Sequence, residues 1–137
     1  MQIYPLTFKP ILKERIWGGN KLKILFGKEL NSDQTGESWE LSTVGNDVSV
    51  ISNGAYQNRL FTELISEFPN EILGEKIVEQ FGEQFPLLFK FLDASEDLSI
   101  QVHPNDELAQ KRHNSFGKTE MWYIIQADEN SRNIIGF

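Results

Sequence analysis

Apolar and polar positions change their period twice along this chain of 137 residues. Between Leu60 and Phe81 the apolar residues Leu60, Leu64, Ile65, Phe68, Ile72, Leu73, Ile77, Val78 and Phe81 recur at helical spacing. Pro69 and Asn70 interrupt that stretch and predict two helices, the second capped by Asn70. The flanking segments are β-like. "ESWELST" and "DVSVISNG" predict a hairpin closed by "VGND". Further upstream, "IWGGNKLKILFG" predicts a turn at Gly18-Gly19, followed by a short helix capped by Asn20 and stopped near Gly27. After Gly82 three strands are expected, "FPLLFKFLDAS", "LSIQVHP" and "KTEMWYIIQA", with a helical turn or two in "NDELAQKRHN" opened by Asn105 or Asp106. Strands, a helical insert over residues 60–81 and strands again predict a single α+β domain over 1–137, mainly β, with an antiparallel sheet or barrel.

Alternation within two of these strands exposes a chemical question. In "LSIQVHP", Leu98, Ile100 and Val102 share one face, which asks for a core, while Ser99, Gln101 and His103 share the other. In "KTEMWYII", Lys118, Glu120, Trp122 and Ile124 fall together. The polar residues Ser99, Gln101, His103, Lys118 and Glu120 admit three readings: a solvated sheet face, a hydrogen-bonded Gln–His pair, or a metal site. Imidazole nitrogen, carboxylate oxygen and amide oxygen suit a borderline divalent ion such as zinc. A Q-x-H pair projects both side chains in parallel from one strand, yet by itself it is a weak motif.

Composition narrows the classes. Hydrophobic residues are 39% and charged residues 24%, ordinary for a soluble globular chain. A formal net charge of −7 argues against nucleic acid and anionic membranes as partners, although a local basic pocket remains compatible with a phosphorylated small molecule. There is no cysteine, which excludes disulfides and thiolate metal ligands. No apolar run approaches the roughly 20 residues of a membrane span, and "MQIYPLTFKP" lacks the apolar core of a signal peptide. A cytoplasmic location is expected. "GKTE" lacks the frame of a phosphate-cradling P-loop.

In combination, "LSIQVHPNDELA" and "GKTEMWYII" closely resemble the type I phosphomannose isomerases, zinc-dependent enzymes of the cupin fold. "KPILKERIWGGNKL", "GESWELS" and "FPLLFKFLDA" resemble the N-terminal half of that family in the same order. The resemblance implies a partial cupin-type antiparallel barrel or sandwich. Gln101, His103 and Glu120 match three zinc ligands, and Ser99 and Lys118 match positions facing the substrate. Lys90 matches a pocket-facing lysine, although it also reads as a lysine snorkelling from a sheet edge. Trp17 and Trp39 match family positions too, but large aromatics more often belong to a core. His113, in "RHNSFG", matches no metal ligand and reads as a solvated loop residue.

The implied reaction interconverts mannose 6-phosphate and fructose 6-phosphate through a cis-enediol, with one zinc ion per chain, Lys118 as a catalytic group and no identified base. Family members are longer, and their fourth zinc ligand is a histidine downstream of the segment matched by "TEMWY". This chain has only two histidines, His103 and His113. The 137-residue chain is therefore expected to have little activity alone and to self-associate through strand edges or cover them itself. The other reading is a non-catalytic cupin-like module that binds sugar or metal in a regulatory role.

Overall fold

A two-residue strand, β1 (Phe8–Lys9), and a nine-residue strand, β2 (Ile11–Gly19), come first in the computed structural model, which describes residues 4–136. Residues 1–3 and residue 137 lie outside the described residues. By its contacts the chain divides into two units, Met1–Leu98 and Ser99–Phe137.

In the first unit, α1 (Lys21–Phe26) follows β2 and stops at Gly27, whose φ of 65° suits a residue without a Cβ. Asn20 holds the N-cap position, but its side chain makes no capping bond. Asp93 substitutes, accepting the Lys21 N–H at 2.6 Å. The expected turn at Gly18-Gly19 is instead the end of β2. The two glycines answer a packing demand. A Cβ on Gly18 would lie 2.3 Å from the Gly36 nitrogen, and one on Gly19 2.9 Å from Asp93 Oδ2.

Four antiparallel ladders follow, in three sheets. β2 pairs with β3 (Thr35–Leu41), which pairs in turn with β7 (Phe89–Leu92), giving a three-stranded sheet in the order β2-β3-β7. β4 (Thr43–Val44) and β5 (Asp47–Val48) form the hairpin tip expected at "VGND", with Gly45 at φ 56°. β6 (Val50–Ile51) leaves that hairpin and pairs with β1.

The helical insert is present but contains three helices, α2 (Phe61–Glu67), α3 (Pro69–Leu73) and α4 (Glu75–Phe81). Pro69 occupies the first position of α3, where its missing N–H costs nothing, so the cap is Phe68 and not Asn70. The unexpected break is Gly74, whose φ of 87° ends α3. Phe61, Leu64 and Ile65 of α2 are buried together with Ile51, Trp17 and Leu22. The Phe61 ring meets Phe8 and Phe85 edge-on at 5.0 and 5.3 Å.

Among its described residues the second unit contains one helix, α5 (Asp106–His113). Asn105 caps it as expected, its Oδ1 accepting the Leu108 N–H at 2.9 Å. The strands expected over "LSIQVHP" and "KTEMWYIIQA" do not form a ladder. Alternation decides which side chains share a face, but a strand also needs a neighbour for its backbone donors and acceptors. The two segments are joined by a Lys118 N–H bond to the Pro104 carbonyl at 3.1 Å. Ile100 and Val102, expected to face a core, are 93% and 88% accessible.

The fold is thus antiparallel and mixed, with few helices and without a closed barrel among the described residues.

Candidate functional site

Glu120 is the centre of the polar cluster in the second unit. One carboxylate oxygen, Oε2, contacts His103 Nε2 at 2.8 Å and accepts from the Trp122 indole at 3.3 Å. The other, Oε1, faces the Lys118 ammonium at 3.0 Å. The Pro104–Lys118 backbone bond and the bond from Gly117 N–H to Asp106 Oδ1 at 2.9 Å hold the two segments in this register. Burial would raise the pKa of Glu120, but hydrogen bonds from Lys118 and His103, the charge of Lys118 and the Trp122 hydrogen bond outweigh it and lower it to about 2. The carboxylate therefore stays ionised throughout the neutral range.

The structure brings His103, Lys118 and Glu120 together as the alternation suggested. Gln101 and Ser99 are exposed and take no part in the hydrogen bonds to Glu120. Among the described residues no group of three or more His, Cys, Asp and Glu side chains is gathered for a metal. The donor chemistry nevertheless fits zinc at two positions, an imidazole nitrogen and an ionised carboxylate. Two ligands bonded to one tetrahedral zinc at about 2.1 Å lie about 3.4 Å apart. His103 Nε2 and Glu120 Oε2, at 2.8 Å, are about 0.6 Å closer than that spacing.

His113 closes α5 and is not a loop residue. It lines a cavity of about 300 Å³ with His103, Leu108 and Arg112.

A second polar cluster lies on the three-stranded sheet of the first unit. Antiparallel register sets Lys90 of β7 opposite Trp39 of β3, and Lys13 of β2 opposite Glu37. Glu37 and Trp39, two apart, share that face. Glu37 is buried, yet it accepts from three donors: Arg15 Nη2 and Trp39 Nε1 at 2.9 Å on Oε2, and Lys90 Nζ at 3.2 Å on Oε1. Lys13 sits over the Trp39 ring, 4.9 Å from its centroid. Burial raises the Glu37 pKa, but the Trp39 hydrogen bond, the charge and hydrogen bond of Lys90 and the charge of Arg15 bring it below its ordinary value. Lys90 is ion-paired and largely covered, so it does not snorkel freely. Trp17 is buried, whereas Trp39 is half-buried and tied to polar groups. Glu37 was not legible as a site residue. The signal available was the Glu-x-Trp alternation in "ESWEL", but both partner cations lie far away in sequence.

Residues 6–133 match the family described as phosphomannose isomerase type I, catalytic domain. The chain is 46% identical over 137 residues to mannose-6-phosphate isomerase ManA of Bacillus subtilis (strain 168), covering 99% of this chain and 42% of that protein. A crystal structure of the mannose 6-phosphate isomerase from Bacillus subtilis superposes with a TM-score of 0.83 at 42% identity, covering 92% of this chain and 39% of that one. A crystal structure of mannose 6-phosphate isomerase bound with zinc and yttrium matches with a TM-score of 0.66 at 28% identity, over 80% of this chain and 28% of that one. The chain thus spans about two fifths of the length of the ManA protein.

Proposed function

Because this chain belongs to the type I phosphomannose isomerase family, as its catalytic-domain match shows, we propose that it is the N-terminal catalytic portion of a zinc-dependent enzyme. That enzyme interconverts mannose 6-phosphate and fructose 6-phosphate in the cytoplasm. The observation that supports this reading best is the Glu120 carboxylate, ionised and shared between His103 and Lys118.

His103, Glu120 and Gln101 would hold one zinc ion, and zinc there would supply Lewis acidity to the sugar's carbonyl oxygen. The reaction moves a proton between C2 and C1 through a cis-enediol, so negative charge develops on oxygen while the proton is in transit. Lys118, oriented by Glu120 Oε1, offers an ammonium to that oxygen or to the phosphate. Ser99 offers a neutral hydroxyl donor, and Lys90 a second cation for the substrate's dianion. Glu120 is a poor candidate for the base, because as a ligand its charge would be committed to the metal.

The test is proton exchange. Mannose 6-phosphate incubated in D₂O with the enzyme containing this chain should give fructose 6-phosphate with deuterium at C1, read by NMR. Conversion without any solvent deuterium would be compatible with an enediol only if the proton is fully shielded. No conversion at all, in zinc-supplemented buffer, would leave the non-catalytic binding module as the better reading.

A further inference from the structure

Glu37 is the buried carboxylate of the β2-β3-β7 sheet, and it is surrounded by more positive charge than it neutralises. Arg15 and Lys90 bring two charges to its one, while Lys13, over the Trp39 ring, is neutralised by its own ion pair with Asp47. A carboxylate used only to neutralise a strand cation needs one partner. Here each oxygen has a separate task. Oε2 takes the Arg15 guanidinium and the Trp39 indole, both at 2.9 Å, while Oε1 is left to the Lys90 ammonium at 3.2 Å. Two donors on Oε2, from two different strands, fix the plane of the carboxylate. A fixed plane in turn fixes where Oε1 points.

Lysine is a flexible cation with four rotatable side-chain bonds, and holding it in one place requires a partner that is itself held. The side chain of Glu37 is 9% accessible and that of Lys90 21%, so the pair is shielded from the solvent that weakens surface ion pairs. An ammonium has three N–H donors, and one is spent on Glu37. The others remain directed away from the carboxylate.

We propose that Glu37 is a positioning residue: it aims the Lys90 ammonium from the sheet face toward an anionic group of the substrate. This inference rests on the reading of Lys90 as a substrate-facing cation. Arg15 and Trp39 are the struts that hold Glu37, and the cluster keeps one unit of positive charge in excess for an incoming anion.

The experiment is Glu37→Gln in the zinc-loaded enzyme, with mannose 6-phosphate as substrate. Glutamine preserves shape but removes the charge that orients Lys90. A misaimed group of this kind lowers turnover by about 10–100-fold. We expect kcat to fall in that range, with KM unchanged or lower, because the local positive charge rises while its aim is lost. Glu37→Asp, which restores the charge without the reach, should fall between the two. A drop in folded fraction with unaltered kcat per folded molecule would assign Glu37 a purely structural role and overturn the proposal. A lower KM with unaltered kcat would mean that only charge matters, and would overturn it as well.

A second measurement needs no variant and no turnover. The Lys90 ammonium of the unaltered protein should give a persistent ¹H–¹⁵N cross-peak, as an immobilised ion-paired lysine does. A Lys90 signal averaged like those of solvated lysines would refute the positioning claim. If the cross-peak persists but the parent enzyme converts no mannose 6-phosphate, the functional reading of Lys90 fails and the geometry of the pair stands.

Discussion

Replacing Lys118 by Met separates catalysis from stability. Lys118 Nζ and Glu120 Oε1 are 3.0 Å apart. Two unit charges at that separation attract by about 5.5 kcal/mol at an effective dielectric of 20, but by only about 1.4 kcal/mol in bulk water. The Lys118 side chain is 45% accessible, so the water limit is the closer guide. After the entropy of holding the side chain, the pair contributes about 0.2–1 kcal/mol to folding. Transition-state charge is another matter. It would develop on the bound sugar, where a lost ammonium costs about 2–4 kcal/mol. Lys118→Met in the complete enzyme should therefore lower kcat/KM by about 30–1,000-fold. Urea unfolding should shift by less than about 1 kcal/mol, and zinc content should be unchanged. The assay couples fructose 6-phosphate formation to a dehydrogenase, with zinc measured by elemental analysis on the same sample. Unchanged kinetics would return Lys118 to the status of a solvated cation that happens to sit beside Glu120. Lost zinc would show that it acts on the metal site and not on the sugar.

Further outcomes follow from the same geometry. His103→Ala should abolish most zinc affinity, and Gln101→Ala should weaken it less, since a neutral amide is the poorest donor of the set; equal losses by calorimetry would contradict the assignment. Glu37 has a depressed pKa, so its stabilising contribution is complete above the ordinary glutamate value of about 4.3 and is lost as pH falls through the folded-state value. The stability gap between the native chain and Glu37→Gln should then be about 1–3 kcal/mol at pH 6 and shrink as pH falls below the ordinary glutamate range, and a gap independent of pH would refute the assignment. Gly18→Ala forces a Cβ to within 2.3 Å of the Gly36 nitrogen and 2.7 Å of the Gln34 carbonyl oxygen. Since backbone must move on both sides, it should cost about 3 kcal/mol in denaturant unfolding, and a neutral substitution would mean that the β2–β3 approach is looser than described.

What could be read from residues alone was local. The Asn105 cap acts on Leu108, three residues away, and the hairpin tip spans Thr43 to Val48, so both lie within reach of a short window. The helical period over 60–81 was legible for the same reason, while Gly74 was hidden because nothing in its neighbours announces a φ of 87°. Most of the other failures are non-local. Gly18-Gly19 reads as a turn until Gly36 and Asp93 are brought against it. β2 escaped notice because "ILKERIWGG" does not alternate cleanly, and its pairing with β3 shifts register between Lys13 and Glu14 and again between Glu14 and Gly19. The segments around Gln101 and Glu120 show the reverse error. Their alternation is real, but a ladder depends on a neighbouring edge that side-chain periodicity does not report. Of the site, His103, Lys118 and Glu120 came together because two short polar faces meet, whereas Glu37 draws its partners from 22 residues before and 53 after.

On the proposed function, His103 and Glu120 belong to a zinc site on which isomerase turnover depends. Stripping the enzyme that contains this chain with a chelator, then titrating zinc back while following fructose 6-phosphate, tests it most directly. Activity should vanish on stripping and return at one equivalent of zinc, while His103→Ala stays inactive at the same concentration. Full turnover in the stripped enzyme, or in His103→Ala without metal, would contradict the account.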